Sequence, residues 1–239
     1  MAPATHPLAW HQLRFSLPLA QDTAVTLVER LLADSSLGRV VLELRASGGQ
    51  ATWALGSQAG ERLVSVVREL VPGCRVSRGF SRRAVSQAVV VSARPVGAGL
   101  ATERLSAVVR AVLAALAVTA EGEELVGQLQ LGQRFSPEAL GRVEPQGWLE
   151  LLGLVPIPSF SGERGRRMRA QVGRHRAAVC LRLGVRAASP LRQRVLLQGL
   201  VGALRLLEGP GVRLRARTEH PAKLNGVRRP WRAGLELGA

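Results

Sequence analysis

Apolar and polar positions change their period several times along this chain, and each change marks an element. Leu13, Phe15 and Leu17 alternate with polar residues, which predicts a strand. Val25, Val28, Leu31 and Leu32 then recur at helical spacing, with Asp22 placed to cap that helix. Gly38 closes the connection, and residues 40–45 read as the next strand. Ser47, Gly48 and Gly49 make a hairpin turn into a strand over 50–55. A helix over 60–71 presents Leu63, Val67 and Leu70 on one face; Pro72 and Gly73 break it, and a strand follows over 74–78. The order β-α-β-β-α-β is that of a split βαβ, or ferredoxin-like, unit over residues 8–80.

The same order recurs over residues 84–220. A strand over 88–94 leads to a helix from Thr102 that carries Leu105, Val108, Val109, Val112 and Leu116 on one face. Strands over 125–134 and 178–185 follow. Ser189 and Pro190 are suited to N-cap and first helical residue, and the helix they open presents Leu197, Leu200, Val201 and Leu204. Gly209, Pro210 and Gly211 stop it before a last strand over 212–218. An insertion, residues 136–176, splits this second unit. Residues 137–160 of it are apolar and punctuated by proline, and 163–172 read as a short basic helix ending at Gly173. The expected fold is therefore α+β, two tandem ferredoxin-like units, the second with an insertion. Residues 221–239 follow as a basic C-terminal tail or linker.

Composition agrees with a packed core. Of 239 residues, 46% are apolar but only 3% aromatic, so the core is built from Leu, Val and Ala. Two cysteines, Cys74 and Cys180, make no disulfide framework and fit a reducing, cytoplasmic setting. The first ten residues lack the apolar run of a signal peptide. The most apolar helical stretch, 105–120, is interrupted by Arg110 and is shorter than the roughly 20 residues of a membrane span.

Charge changes the picture more. Residues 1–80 carry +2, residues 81–162 none, and residues 163–239 carry +14 of the net +16. A chain with one Lys, one Asn, one Ile and no Tyr shows a codon bias that explains Arg in place of Lys, but not why acids are missing only after residue 163. A field this segregated points to a polyanion: nucleic acid, an anionic membrane surface or an acidic protein. Three features build it. The insertion carries Arg164, Arg166, Arg167 and Arg169, then Arg174, His175 and Arg176. Arg213, Arg215 and Arg217 alternate with Val212, Leu214 and Ala216, so the three share one sheet face. Cys180, Arg182, Gly184 and Arg186 alternate likewise, and pairing of the two strands would bring five arginines together. Lys223, Arg228, Arg229 and Arg232 extend the field. These strands carry no aromatics on which bases could stack, so phosphate contact is expected rather than base readout. Trp148, Leu151, Leu152 and Phe160 are the candidate partner-docking residues of the apolar insertion.

Catalytic constellations are not found. His6, His11, His175 and His220 show no metal spacing with Cys74 or Cys180. Asp22 and Asp34 fit a helix start and a helix end, and Glu121, Glu123 and Glu124 read as solvated charge between a helix and a strand. A cation beside Cys180 would lower its thiol pKa, but a passive small residue is the simpler reading. The only lysine follows Ala222, so the chain has no phosphate-binding G-x-x-x-x-G-K-[ST] loop and no cofactor motif.

The order of segments resembles the N-terminal, non-motor region of actinobacterial type IV secretion and conjugative DNA-transfer ATPases, the coupling-protein-like proteins. The carrying residues run from Leu37 to Ala46, from Ala101 to Leu116, from Gly211 to Arg215, and from Lys223, Leu224 and Asn225 to Arg228, Arg229, Pro230 and Trp231. The resemblance implies a non-catalytic accessory or N-terminal module of a DNA-transfer motor at the inner face of the cytoplasmic membrane. Its partners would be DNA, the motor ATPase or a membrane-anchored subunit, and it could form an oligomer. Family members continue into an ATPase domain, whereas this sequence stops at Ala239. The alternative is a stand-alone, nonspecific nucleic-acid-binding protein.

Overall fold

Among the described residues, four helices share one face of a single sheet, because alternation in the central strands supplies an apolar row on that side. A computed structural model of the chain describes residues 8–16, 19–94, 100–101, 103–135, 175–228 and 235–238. In chain order these form β1 (Ala9–Arg14), α1 (Gln21–Ala33), a 3-10 turn (Ser35–Leu37), β2 (Val40–Ser47), β3 (Gln50–Ser57), α2 (Gly60–Leu70) and β4 (Arg75–Arg78). After them come β5 (Gln87–Arg94), α3 (Leu105–Ala117), β6 (Glu124–Phe135), β7 (Arg176–Arg186), α4 (Pro190–Arg205), β8 (Arg213–Glu219), α5 (Pro221–Asn225) and β9 (Leu235–Gly238). The class is mixed α+β.

Every strand pairing is antiparallel, and the order is β4-β1-β3-β2-β6-β7-β5-β8, with β9 beside the start of β7. The two halves meet where β2 pairs with β6, from Val40 opposite Leu131 to Ala46 opposite Leu125. Leu31, Leu32, Leu63 and Val67 of α1 and α2 pack on Leu13, Val40, Leu55, Leu131 and Val179. Leu116 of α3 and Leu196, Leu197 and Leu200 of α4 pack on Ala46, Val91, Leu125, Leu183 and Leu214. Val40 and Ala46, like Leu131 and Leu125, have the same parity on their strands, so both helix pairs lie on the same side.

Local chemistry sets several boundaries. Gly48 and Gly49 both have positive φ, the backbone of a tight two-residue hairpin between Ser47 and Gln50. The Ser189 hydroxyl accepts from the Arg192 N–H, and Pro190 opens α4 as expected. Asp22 is not the cap of α1: the N-cap is Ala20, and Asp22 sits in the first turn, where its carboxylate accepts from the Thr23 N–H at 2.8 Å. β1 starts at Ala9, four residues before the expected alternation, because β3 offers it partners as far as Ser57.

In the span expected as a tail, the described residues 221–228 and 235–238 form a helix and a strand that pack on the sheet. Leu224 of α5 is fully buried with Val85, Ala88 and Val126 on the sheet face opposite the helices, and β9 pairs with β7. Two buried apolar side chains, Leu224 and Val227, tie this segment down. The approach is close at Gly184 of β7: a Cβ there would lie 2.8 Å from Leu224 Cδ1 and 2.9 Å from Val85 Cγ2. Gly184→Val should therefore lift α5 and cost about 1–3 kcal/mol in a urea melt, whereas the same change at open Gly202 should not do so through a clash. The expected insertion, apart from its last residues, lies outside the described residues.

Candidate functional site

The sheet face opposite the helices is read best along one row that crosses all eight ordered strands. Ser77, Gln12, Ala54, Glu43, Gln128, Arg182, Val90 and Arg217 stand side by side from β4 to β8. The middle of this face is covered, and the β8 end is open.

The open end carries cations. On β5 and β8, Arg94 stands opposite Arg213, Ser92 opposite Arg215 and Val90 opposite Arg217. Arg94, Arg213, Arg215 and Arg217 are all exposed. Among the described residues, only Arg213 of these four has an acid beside it, Glu208 at 3.4 Å. Like charges directly opposite one another on a sheet repel, so this cluster is favoured once an anion lies over it. Strand geometry spaces the three β8 arginines about 6.7 Å apart. β8 is also an edge strand, where charge discourages pairing with another sheet. Glu208 helps by accepting the Leu214 N–H at 2.8 Å. Arg186 at the end of β7, Lys223 on α5 and Arg228 beyond it are exposed as well.

Arg182 does not belong to this cluster. It is fully buried, with Nε donating to Glu219 at 2.7 Å and Nη1 to Gln130 at 3.1 Å. Lys223 Nζ reaches the other oxygen of Glu219 at 3.1 Å. The expected pairing of its strand with the last one does not occur, because β5 lies between β7 and β8. Cys180, beside it, is buried too. Burial pushes its thiol pKa up, and the nearby Arg182 and Lys223 do not reverse this. That is the passive role.

Alternation alone did not disclose what covers the centre. Glu43 is fully buried and accepts from Arg45 Nε at 2.8 Å, Arg82 Nη2 at 2.7 Å and Gln128 Nε2 at 2.7 Å. Burial alone would raise its pKa, but the Arg82 and Arg45 hydrogen bonds and charges outweigh that and hold it below the usual range. Arg45 also pairs with Glu124, which is buried. Arg82 stacks over Trp10 at 4.4 Å and donates to the carbonyls of Leu224 and Asn225. Asn225 in turn exchanges two hydrogen bonds with the Val85 backbone. This latch ties residues 82–85 and α5 together across the face. The sequence signal was Glu43 and Arg45, two apart in an otherwise apolar strand.

Two other expectations change with it. Glu123 and Glu124 are not solvated: Glu124 faces Arg45, and Glu123 accepts from Arg192 at 2.8 Å. His220 caps α5 through Nδ1, which accepts from the Ala222 N–H. His11 is buried with neither ring nitrogen partnered, and burial lowers its pKa. Among the described residues no three His, Cys, Asp or Glu side chains gather as metal ligands.

A cavity of about 220 Å³ lies on the opposite, helix-bearing side. It is floored by Leu44, Trp53, Leu129 and Leu181 and roofed by Val112 and Leu200, with no polar side chain to orient a substrate. Arg164, Arg166, Arg167, Arg169, Arg174, Arg229 and Arg232, with Trp148, Leu151, Leu152 and Phe160, lie outside the described residues; Arg176 opens β7 through its backbone. No protein-family model matches the chain, and no curated protein matches it in sequence.

Proposed function

We propose that this chain is a non-catalytic module that holds nucleic acid by its phosphates, as an accessory or N-terminal part of a conjugative DNA-transfer or type IV secretion motor. Two tandem ferredoxin-like units would form it. The strand orders β4-β1-β3-β2 and β6-β7-β5-β8 support that reading, since each follows a β-α-β-β-α-β run and one is the reverse of the other.

One observation carries the function: Arg94, Arg213, Arg215 and Arg217 share one exposed face at the sheet edge. Guanidinium groups there would neutralise phosphates, and release of counterions would drive binding. The same strands present no aromatic side chain for stacking, so backbone contact without base readout is expected. A stand-alone nonspecific binder would use the same face and differ only in lacking a motor partner.

The test is binding to a nonspecific duplex and a single strand across a salt series. Four phosphate contacts predict a log–log slope of about −3.6 on duplex, and Arg215→Ser with Arg217→Ser should flatten it by about 2. No binding at low salt, or an unchanged slope in the variant, sinks the reading and leaves the face to an acidic protein.

A further inference from the structure

The outer surface of the α3–α4 pair is apolar where a surface helix is ordinarily polar. Exposed positions of α3 are Leu105, Ser106, Val109, Arg110, Leu113, Ala114 and Ala117. Leu113 is 50% exposed, and Leu191 and Val195 of α4 are 69% and 52% exposed. Of the eight large apolar side chains exposed among the described residues, all but Val25 lie on α3, α4 or their ends.

They form one surface. Arg192 of α4 donates to the Val118 carbonyl at 2.7 Å, Gly199 faces Ala115, and the Ala101 N–H donates to the Leu207 carbonyl at 2.9 Å. The helices are therefore antiparallel neighbours, which sets Val118 beside Leu191 and Leu105 towards Leu206. Within α3 and α4 the only charged residues are Arg110, Arg192, Arg194 and Arg205. Acids occur only beyond the helix ends: Glu103 and Glu121 are exposed, while Glu123 is taken by Arg192 and Glu208 by Arg213 and Leu214.

We infer that this face docks on an anionic lipid surface. Apolar side chains flanked by arginine, with no acid among them, match the boundary between acyl chains and anionic headgroups. The surface is not charge-complementary to itself, since a two-fold pairing would set arginine against arginine. α3 has 13 residues, about 20 Å, so the pair would lie along the bilayer rather than cross it. None of the described helices is long and apolar enough to span a membrane. The arginines of β5 and β8 are on the opposite side of the sheet and would point away from the lipid, open to a second polyanion. The inference stands apart from the proposed function, because it uses neither that face nor its residues.

The experiment is co-sedimentation with phosphatidylcholine vesicles containing phosphatidylglycerol, beside phosphatidylcholine alone. Wild type should pellet with the anionic vesicles. Val109→Glu with Leu113→Glu should lower the partition coefficient about tenfold or more, while Arg215→Ser with Arg217→Ser should keep it. Leu113→Trp supplies a second readout, a blue-shifted emission quenched by brominated lipid. Wild type that stays in the supernatant, a double-Glu variant that pellets unchanged, or loss through the β8 variant alone overturns the inference. So does a dimer in solution that the double-Glu variant dissolves, which would assign the face to a second copy.

Discussion

Glu43→Ala should destabilise this protein by about 3–5 kcal/mol, read as a lowered urea midpoint at neutral pH. Glu43 is fully buried and answers two arginines at once, Arg45 and Arg82. Without it Arg45 keeps Glu124, but Arg82 keeps only carbonyl oxygens and the Trp10 ring as partners. Uncompensated positive charge would then remain inside the latch that seats α5. Glu43→Gln should cost less, because an amide oxygen can still accept from one donor. The pH dependence follows from the same contacts. A carboxyl whose folded pKa lies below its unfolded value binds fewer protons when folded. Its stabilisation is therefore complete above the ordinary glutamate range and is lost as pH falls through the folded value. Acid should thus destabilise wild type more steeply than Glu43→Gln. A loss under about 1 kcal/mol with an unaltered acid profile would contradict the latch.

Arg182→Ala should cost a similar amount, about 3–5 kcal/mol, yet leave the salt dependence of nucleic-acid binding unchanged. Its guanidinium holds Glu219 and Gln130 with no exposure to solvent, and removing it leaves Glu219 with Lys223 alone. Arg217 lies in the same row, beyond Val90, and should behave in the opposite way. Arg217→Ser should alter stability by no more than about 0.5 kcal/mol and weaken binding. Replacing the pair together, Arg182→Met with Glu219→Gln, should recover part of the loss, because no buried charge is then left unpaired and Lys223, which loses Glu219, is half exposed to water. An Arg182→Ala protein as stable as wild type but defective in binding would mean that this arginine faces solvent.

The two arginines show how far the sequence could be read. Period-two spacing put Arg213, Arg215 and Arg217 on one face of their strand, and Arg182 was expected beside them only if the two strands paired; β5 stands between those strands, yet Arg182 is on the same side of the sheet. Spacing carried no information on what lies above them. The same holds for Glu123 and Glu124, read as solvated beside Glu121. Their partners Arg192 and Arg45 come from distant segments, and only Glu121 is exposed. Residues 221–239 were read as a basic tail or linker. Leu224 decided otherwise, since the groove formed by Val85, Ala88 and Val126 exists only once β5 and β6 are in place.

The order of residues was enough for whatever backbone geometry imposes locally. It set the helices and strands between β1 and β8, which of their positions share a face, the glycine hairpin at 48–49 and the serine–proline start of α4, but not α5 or β9. These depend on residues within one turn or one hairpin of each other. The tertiary structure alone decided which arginines are ligands of glutamate and which are free to meet an anion. Burial is set by segments far apart in the chain: Gln128 meets Glu43 across 85 positions, and Arg82 meets Asn225 across 143. A charged side chain has the same period whether water or another strand covers it, and only the covering element changes its energy.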